Sequence, residues 1–191
     1  MSGFARIRVN DELVREAKTG DSSAHEALYR LFSPAVYTLA LRIVGQPAKA
    51  EDVLQDTFIE VIRSIGRFRN EASLATWIRH VAVSKSLMLL RSAWERKSEA
   101  LDFDASASDT GGRRVDEAVD LESALDALDP VSRTVVWLHD VEGYTHSEIG
   151  ELTGQTASFS KSRLARAHHR LRTVLAPPAE PIVERTVVRP C

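Results

Sequence analysis

Residues 98–112, SEALDFDASASDTGG, carry no sustained apolar period and are dense in Ser, Asp and Gly. Such a stretch buries too little surface to hold a regular element, so the chain reads as two parts joined by a flexible acidic linker. A second break follows Ala176, where PPAEPIVERTVVRPC holds four of the seven prolines and disfavours a helix. The expected units are residues 1–97, a linker 98–114, residues 115–175 and a Pro-rich tail 176–191. With 43% apolar residues, the chain has the means to form a compact core.

Charge changes sign along the chain although the net is only −2. Residues 101–129 hold nine acids against Arg113 and Arg114, whereas residues 155–175 hold five basic residues, two histidines and no acid. The single cysteine, Cys191, excludes an intrachain disulfide and fits a reducing compartment. The first residues do not resemble a signal peptide, and no stretch is expected to approach the ~18 apolar residues of a membrane span. A soluble, cytoplasmic protein is expected.

Both units read as helical, which makes the expected fold all-α: two small helical domains with almost no strand pattern. Asp11 is expected to cap a first helix ended by Gly20, and Asp21 a second that breaks at Ser33-Pro34. A third runs to Gly45, and Pro47 starts a fourth. In the fourth, Leu54, Phe58, Val61, Ile62 and Ile65 form the expected buried stripe, stopped by Gly66. Asp52, Gln55, Asp56 and Ile59 share the opposite face, where an isoleucine among acids suggests cover by a partner.

A polar loop, residues 67–73, leads into a long helix from Ser73 to about Lys97 with Leu74, Trp77, Ile78, Val81 and Met88 as its core stripe. Arg79, His80, Lys85, Arg91, Arg96 and Lys97 make that helix basic. Cations beside an aromatic-bearing loop suit single-stranded nucleic acid, on which bases stack and phosphates are tracked. Trp77 reads more readily as core, and Phe68 fits either role.

In the second half, Asp129-Pro130 starts a helix that stops at Gly143. Thr145 and Glu148 then fit a capping box, and Gly154 ends a short helix. A turn and a basic helix follow, with Leu164, Ala167 and Leu171 inward, giving a helix-turn-helix. Its outward face collects Lys161, Ser162, Ala165, Arg166 and His169, the residue types that meet guanine edges and phosphates in a major groove. His139-Asp140, with His146 or His168-His169 as further ligands, has the look of a metal-dependent phosphohydrolase dipeptide. The several other ligands of such a site are missing, and polar surface is the simpler reading.

Three runs, AKAEDVLQDTF (48–58), RFRNEASLATWI (67–78) and EGYTHSEIGELTG (142–154) followed by KSRLARA (161–167), resemble bacterial RNA polymerase sigma factors of the extracytoplasmic-function group of the sigma-70 family. The resemblance covers about residues 12–175. It implies a sigma-2 domain that grips the polymerase clamp and opens the promoter, and a sigma-4 helix-turn-helix domain that reads the minus-35 element. Carried over residue by residue, it implies polymerase contacts at Asp52, Gln55, Asp56 and Ile59. It implies minus-10 contacts at Phe68, Arg69, Asn70, Ser73, Thr76, His80 and Lys85, and minus-35 contacts at Thr156, Ser158, Lys161, Ser162, Arg163, Ala165 and Arg166. The implied partners are core RNA polymerase, at its clamp and flap regions, and promoter DNA, with an anti-sigma factor as a further candidate. No cofactor, metal, catalytic residue or membrane insertion is implied.

The chain departs from the family pattern at Ser84, Met88 and Leu89, where Asn, Asp and Arg are common. It departs again at Gln155 and Ser160, usually apolar, and at Phe159, usually small and polar. The shifted apolar side chain is expected to rotate the recognition helix or to leave a packing defect. Two other classes compete: a helix-turn-helix activator that is no polymerase subunit, and a structural helical adaptor, which leaves the basic helix without a use. Copurification of core polymerase separates the first from a sigma factor.

Overall fold

The computed structural model describes residues 3–98 and 121–175, with side chains in the first span described up to Arg91. The linker 98–114 and the tail 176–191 therefore lie outside the described residues, save Ser98 itself. Among the described residues there are eight α-helices and no strand. They are α1 (Asp11–Thr19), α2 (Ser22–Val44), α3 (Pro47–Ser64), α4 (Leu74–Ser98), α5 (Leu121–Asp126), α6 (Pro130–Val136), α7 (His146–Thr153) and α8 (Ala157–Leu175).

Helix starts follow cap chemistry. Asn10, rather than the expected Asp11, caps α1 by accepting from Leu13 N at 2.9 Å, and Gly20 ends it at φ 89°. Asp11 instead stands in the first turn, where its charge suits the helix dipole. Asp21 caps α2 through Ala24 N at 2.8 Å.

The expected break at Pro34 does not occur: α2 runs unbroken to Val44. Leu28 and Phe32 before the proline and Val36, Leu39, Ala40 and Ile43 after it are all buried. That shared stripe outweighs the ~3 kcal/mol that an interior proline costs. Pro34 and Arg30, four residues before it, are both exposed, so the bond that the proline cannot donate is lost on the solvent side of α2. Contrary to the sequence expectation, α2 is also long and apolar enough to cross a membrane by length and composition. Its apolar residues here form the centre of the core, packed against α3 and α4.

α3 lies between those neighbours, and its buried arc is turned from the expected one. Ala50, Val53, Thr57, Phe58 and Val61 are buried, whereas Leu54 is half-buried and Ile62 is exposed. Gly66 is not a left-handed cap; α3 ends by tightening into a 3₁₀ turn, Ile65–Arg67. On α4 the core residues include Leu74, Ile78, Ala82, Val83 and Leu87, with Trp77 and Val81 half-buried and the expected core residue Met88 63% exposed. A long helix that lies against two neighbours buries a broad arc, and Met88 falls outside it.

In the second half, Asp129 caps α6 through Val131 N and Ser132 N. A π-turn, Trp137–Val141, then widens the chain before Gly143 at φ 76°. α8 packs on both α6 and α7. The halves also touch through charge and rings. Arg79 on α4 donates to the Glu142 carbonyl at 2.6 Å, and its guanidinium lies 4.9 Å from the Tyr144 ring centre. Arg42 on α2 pairs with Glu122 at 2.6 Å and covers Trp137 at 5.5 Å.

Candidate nucleic-acid interface

On α3, Asp52, Gln55, Asp56 and Ile59 all face out, and Ile59 is 54% exposed. The structure adds two residues that the sequence reading missed. Ile62, three positions past Ile59, stays exposed, and Tyr29 of α2 is exposed while its ring stands edge-on to Phe58 at 4.7 Å. The face is thus acidic at its N-terminal end and apolar at its C-terminal end. Such a surface suits a partner that brings both cations and an apolar groove.

The loop between α3 and α4 is held from below. Phe68 packs on Trp77 with ring centres 5.2 Å apart, and Lys18 of α1 lies 5.3 Å over the Phe68 ring. Both aromatics are half-buried, so each serves the core and leaves an edge outside. Asn70 takes a left-handed conformation at φ 58°, a strained choice for a side-chain-bearing residue, with Lys18 Nζ 3.4 Å from its Oδ1. Ser73 caps α4: its Oγ accepts from Thr76 N at 3.1 Å and lies 2.8 Å from Thr76 Oγ1.

Phe68, Asn70, Ser73 and Thr76 therefore gather at one end of α4, with Arg69 and His80 exposed beside them. Lys85 is not part of that group. It stands nine residues beyond Thr76, roughly 13 Å along the helix, and is bound to Glu60 of α3 at 3.3 Å.

The helix-turn-helix is built as its caps require. Thr145 Oγ1 accepts from Glu148 N, and Glu148 Oε2 accepts from Thr145 N at 2.7 Å, which closes the capping box. Two bonds donated to the Glu148 carboxyl, from Thr145 N and from the Thr145 hydroxyl at 2.7 Å, hold it below its ordinary value. Gly154 ends α7 at φ 70°, and Thr156 Oγ1 accepts from Phe159 N at 3.1 Å to start α8. Leu164, Ala167 and Leu171 face inward as expected. Ser158, Lys161, Ser162, Ala165, Arg166 and His169 are exposed.

Arg163 sits apart from them, half-buried, 3.7 Å from Asp129 and with its guanidinium 5.3 Å from the Phe159 ring centre. Burial pushes the Asp129 carboxyl up. Bonds from Ser132 and Val131 and the Arg163 charge outweigh it and hold the group below its ordinary value.

At the departures Phe159 and Ser160, the inward position is filled without an unpaired polar group. Ser160 is fully buried, and its hydroxyl is hydrogen-bonded to His146 Nδ1 at 3.0 Å, so the polar group in an apolar position has a partner. Phe159 spreads along the surface under Arg163. His146 stacks on His139 with ring centres 4.5 Å apart, and His139 and His168 both bind the Asp140 carboxylate, at 2.8 and 2.6 Å. The four residues are thus together, but stacked and bonded to one another. Among the described residues no set of three His, Cys, Asp or Glu side chains converges as metal donors.

Comparison with known proteins agrees with this architecture. Residues 28–96 match the model of sigma-70 region 2, and residues 118–171 match that of sigma-70 region 4. The chain is 33% identical over 168 residues to the ECF RNA polymerase sigma factor SigE of Mycolicibacterium smegmatis, covering 83% of this chain and 65% of that protein, just under two thirds of its length. It is 31% identical over 164 residues to the RNA polymerase sigma factor CarQ of Myxococcus xanthus, covering 83% of this chain and 92% of that protein. A solved structure of the sigma factor RpoE with the anti-sigma factor NepR from Bartonella quintana shares the fold. It has TM-score 0.51 and 23% identity, with 78% of this chain and 95% of that chain covered. With both regions matched in order, and with CarQ, 31% identical, covered over 92% of its length, the chain belongs to the sigma-70 family of RNA polymerase sigma factors, in the extracytoplasmic-function group.

Proposed function

We propose that this chain binds core RNA polymerase through the outer face of α3, reads and opens the minus-10 element with the loop before α4, and reads the minus-35 element with α8. The observation that carries the reading is the pairing of two faces of opposite chemistry on one chain. α3 presents Asp52, Asp56 and Ile59, whereas α8 presents Lys161 and Arg166 with no acid on the same face. An acidic and apolar helix is repelled by DNA and suits a protein, and a basic helix after a capped turn suits a major groove.

The phosphoryl chemistry of transcription then belongs to polymerase, and the chain supplies specificity and strand separation without a catalytic residue. Its place of work is the cytoplasm, where polymerase and DNA are. An anti-sigma factor is a fitting further partner, in keeping with the solved complex of a relative.

The test uses two variants in the holoenzyme, on promoter fragments varied only upstream. If Arg166 meets a guanine edge, Arg166→Ala lowers use of the matched promoter by about 1–3 kcal/mol and relaxes one base pair. If Lys161 meets phosphate, Lys161→Ala weakens matched and scrambled sequences alike and lowers the salt slope by about one unit. Equal behaviour of both variants on both sequences, with folding intact, contradicts the assignment of α8.

A further inference from the structure

Among the cations of α8, Arg163 is placed differently from the rest. Lys161, Arg166, Arg170 and Arg172 are exposed, whereas Arg163 is half-buried and its Nε is enclosed without a partner. Phe159 stands four residues earlier on the same flank, and the guanidinium lies 5.3 Å from its ring centre, within reach of a cation–π contact. Arg163 Nη1 lies 3.7 Å from Asp129 Oδ1. That oxygen also accepts from Val131 N at 3.1 Å and from Ser132 N at 3.0 Å, so it is the cap of α6. The guanidinium therefore joins a ring on α8 to the start of α6, a helix on which α8 packs. Ser160, next to Phe159, is tied to a different element through His146 at the start of α7.

We propose that Arg163 is a positioning residue, which fixes the roll of α8 on α6 and so sets minus-35 specificity, and not the DNA contact that the resemblance implies. The inference rests on the reading of α8 as the minus-35 helix and deepens it. Three observations carry it. To reach DNA the guanidinium must leave both Phe159 and Asp129, and the enclosed Nε means that the stem is held as well as the tip. A planar guanidinium stacks on a ring and pairs with a carboxylate at once, which fixes a direction as a lone point charge does not. The contact also lies in the first two turns of α8, the part of a recognition helix that meets base edges. Ser158, Lys161 and Ser162 share those turns, so a change of roll re-aims them together. Phe159 is a departure from the family pattern, so the family's role for this flank does not pass to Arg163 unchanged.

The experiment measures binding of holoenzyme to promoter fragments across a range of salt. The fragments carry the upstream element of a promoter found by mapping transcription starts, or each single-base change in that element. Arg163→Ala removes the bridge, Asp129→Asn removes the charge while keeping a good cap, Phe159→Leu removes the ring face, and Arg166→Ala serves as the outward comparison. In Arg163→Ala, discrimination between matched and changed elements falls about fivefold at several positions together, with an unchanged salt slope. Asp129→Asn and Phe159→Leu shift the same positions in the same direction, although neither removes a cation. The double variant Arg163→Ala with Asp129→Asn loses less than the sum of the two, as partners in one contact should.

If Arg163→Ala weakens every sequence alike and lowers the salt slope by about one unit, Arg163 is a phosphate contact and the proposal is overturned. If it relaxes a single position while Asp129→Asn changes nothing, Arg163 is a base contact, which overturns the proposal as well. Lower thermal midpoints with discrimination intact, read at a temperature where every variant is folded, reduce the bridge to stability alone and also overturn it. If Arg166→Ala too leaves discrimination intact, the reading of α8 fails; if Arg166→Ala acts and Arg163→Ala does not, only the positioning role fails.

Discussion

Gly150 faces the turn of the helix-turn-helix so closely that a Cβ there would stand 2.8 Å from the Gln155 carbonyl oxygen and 3.1 Å from the Thr156 carbonyl carbon. The demand is for space between two stretches of backbone, which cannot move aside as a side chain can. Gly150→Ala should therefore destabilise the protein by about 1–3 kcal/mol, read as a lower midpoint in urea; an unchanged midpoint would contradict the close approach.

Ten residues on, Ser160 shows what the sequence could not reveal alone. A serine at an inward position of a helix reads as a defect until His146, fourteen residues earlier, is seen to bind it. Burial first, then the charges of His139 and Lys161, hold the His146 imidazolium below its ordinary value, with Asp140 acting weakly the other way. Because His146 takes up its proton less readily when folded, the unfolded chain binds more protons below pH 6.5. Its contribution is therefore complete above pH 6.5 and declines as pH falls through that value toward the lower folded one. His146→Gln should remove this part of the pH dependence. Urea midpoints of wild type and variant between pH 8 and 5 should converge on acidification, and parallel curves would contradict it. Asp140, held low by His139 and His168 despite its burial, contributes in a separate window, lost only as pH falls below 3.8.

At the scale of elements, caps and terminators were the most legible part of the chain, because their chemistry is local. Gly20, Gly45, Gly143 and Gly154 all take positive φ where helices or turns end, and Asp21, Asp129 and Thr145 cap as their sequence contexts suggest. Burial was less legible, since it depends on neighbours. α3 has helices on two sides, so Val53 and Thr57 are inside while Ile62 is outside, and Thr57 keeps a fully buried hydroxyl without a partner, which no apolar pattern signals. The outer face survives this rotation because Asp52, Asp56 and Ile59 lie opposite either arc. Replacing both Asp52 and Asp56 by Lys should leave helix content unchanged and weaken capture of core polymerase by about 10-fold or more, since like charges at an interface repel. Unchanged capture would remove α3 from the polymerase interface.

For the whole molecule, the two halves and their helical class were legible from the acidic linker and the periodicity, whereas their packing on each other was not. Arg42 with Glu122 and Trp137, and Arg79 with Glu142 and Tyr144, join α2 and α4 to the second half across long stretches of sequence. A charge pair of this kind leaves no period to read, and Arg79 looked like one more cation on a basic helix.

The central claim is that this chain confers promoter choice on core polymerase. The direct measurement is in vitro transcription by purified core polymerase on fragmented genomic DNA, with and without the chain, followed by mapping of the start sites. The account predicts a discrete set of starts that appear only with the chain and share two upstream elements, with those starts lost when Asp52 and Asp56 are replaced by Lys. Starts that are the same with and without the chain would contradict it.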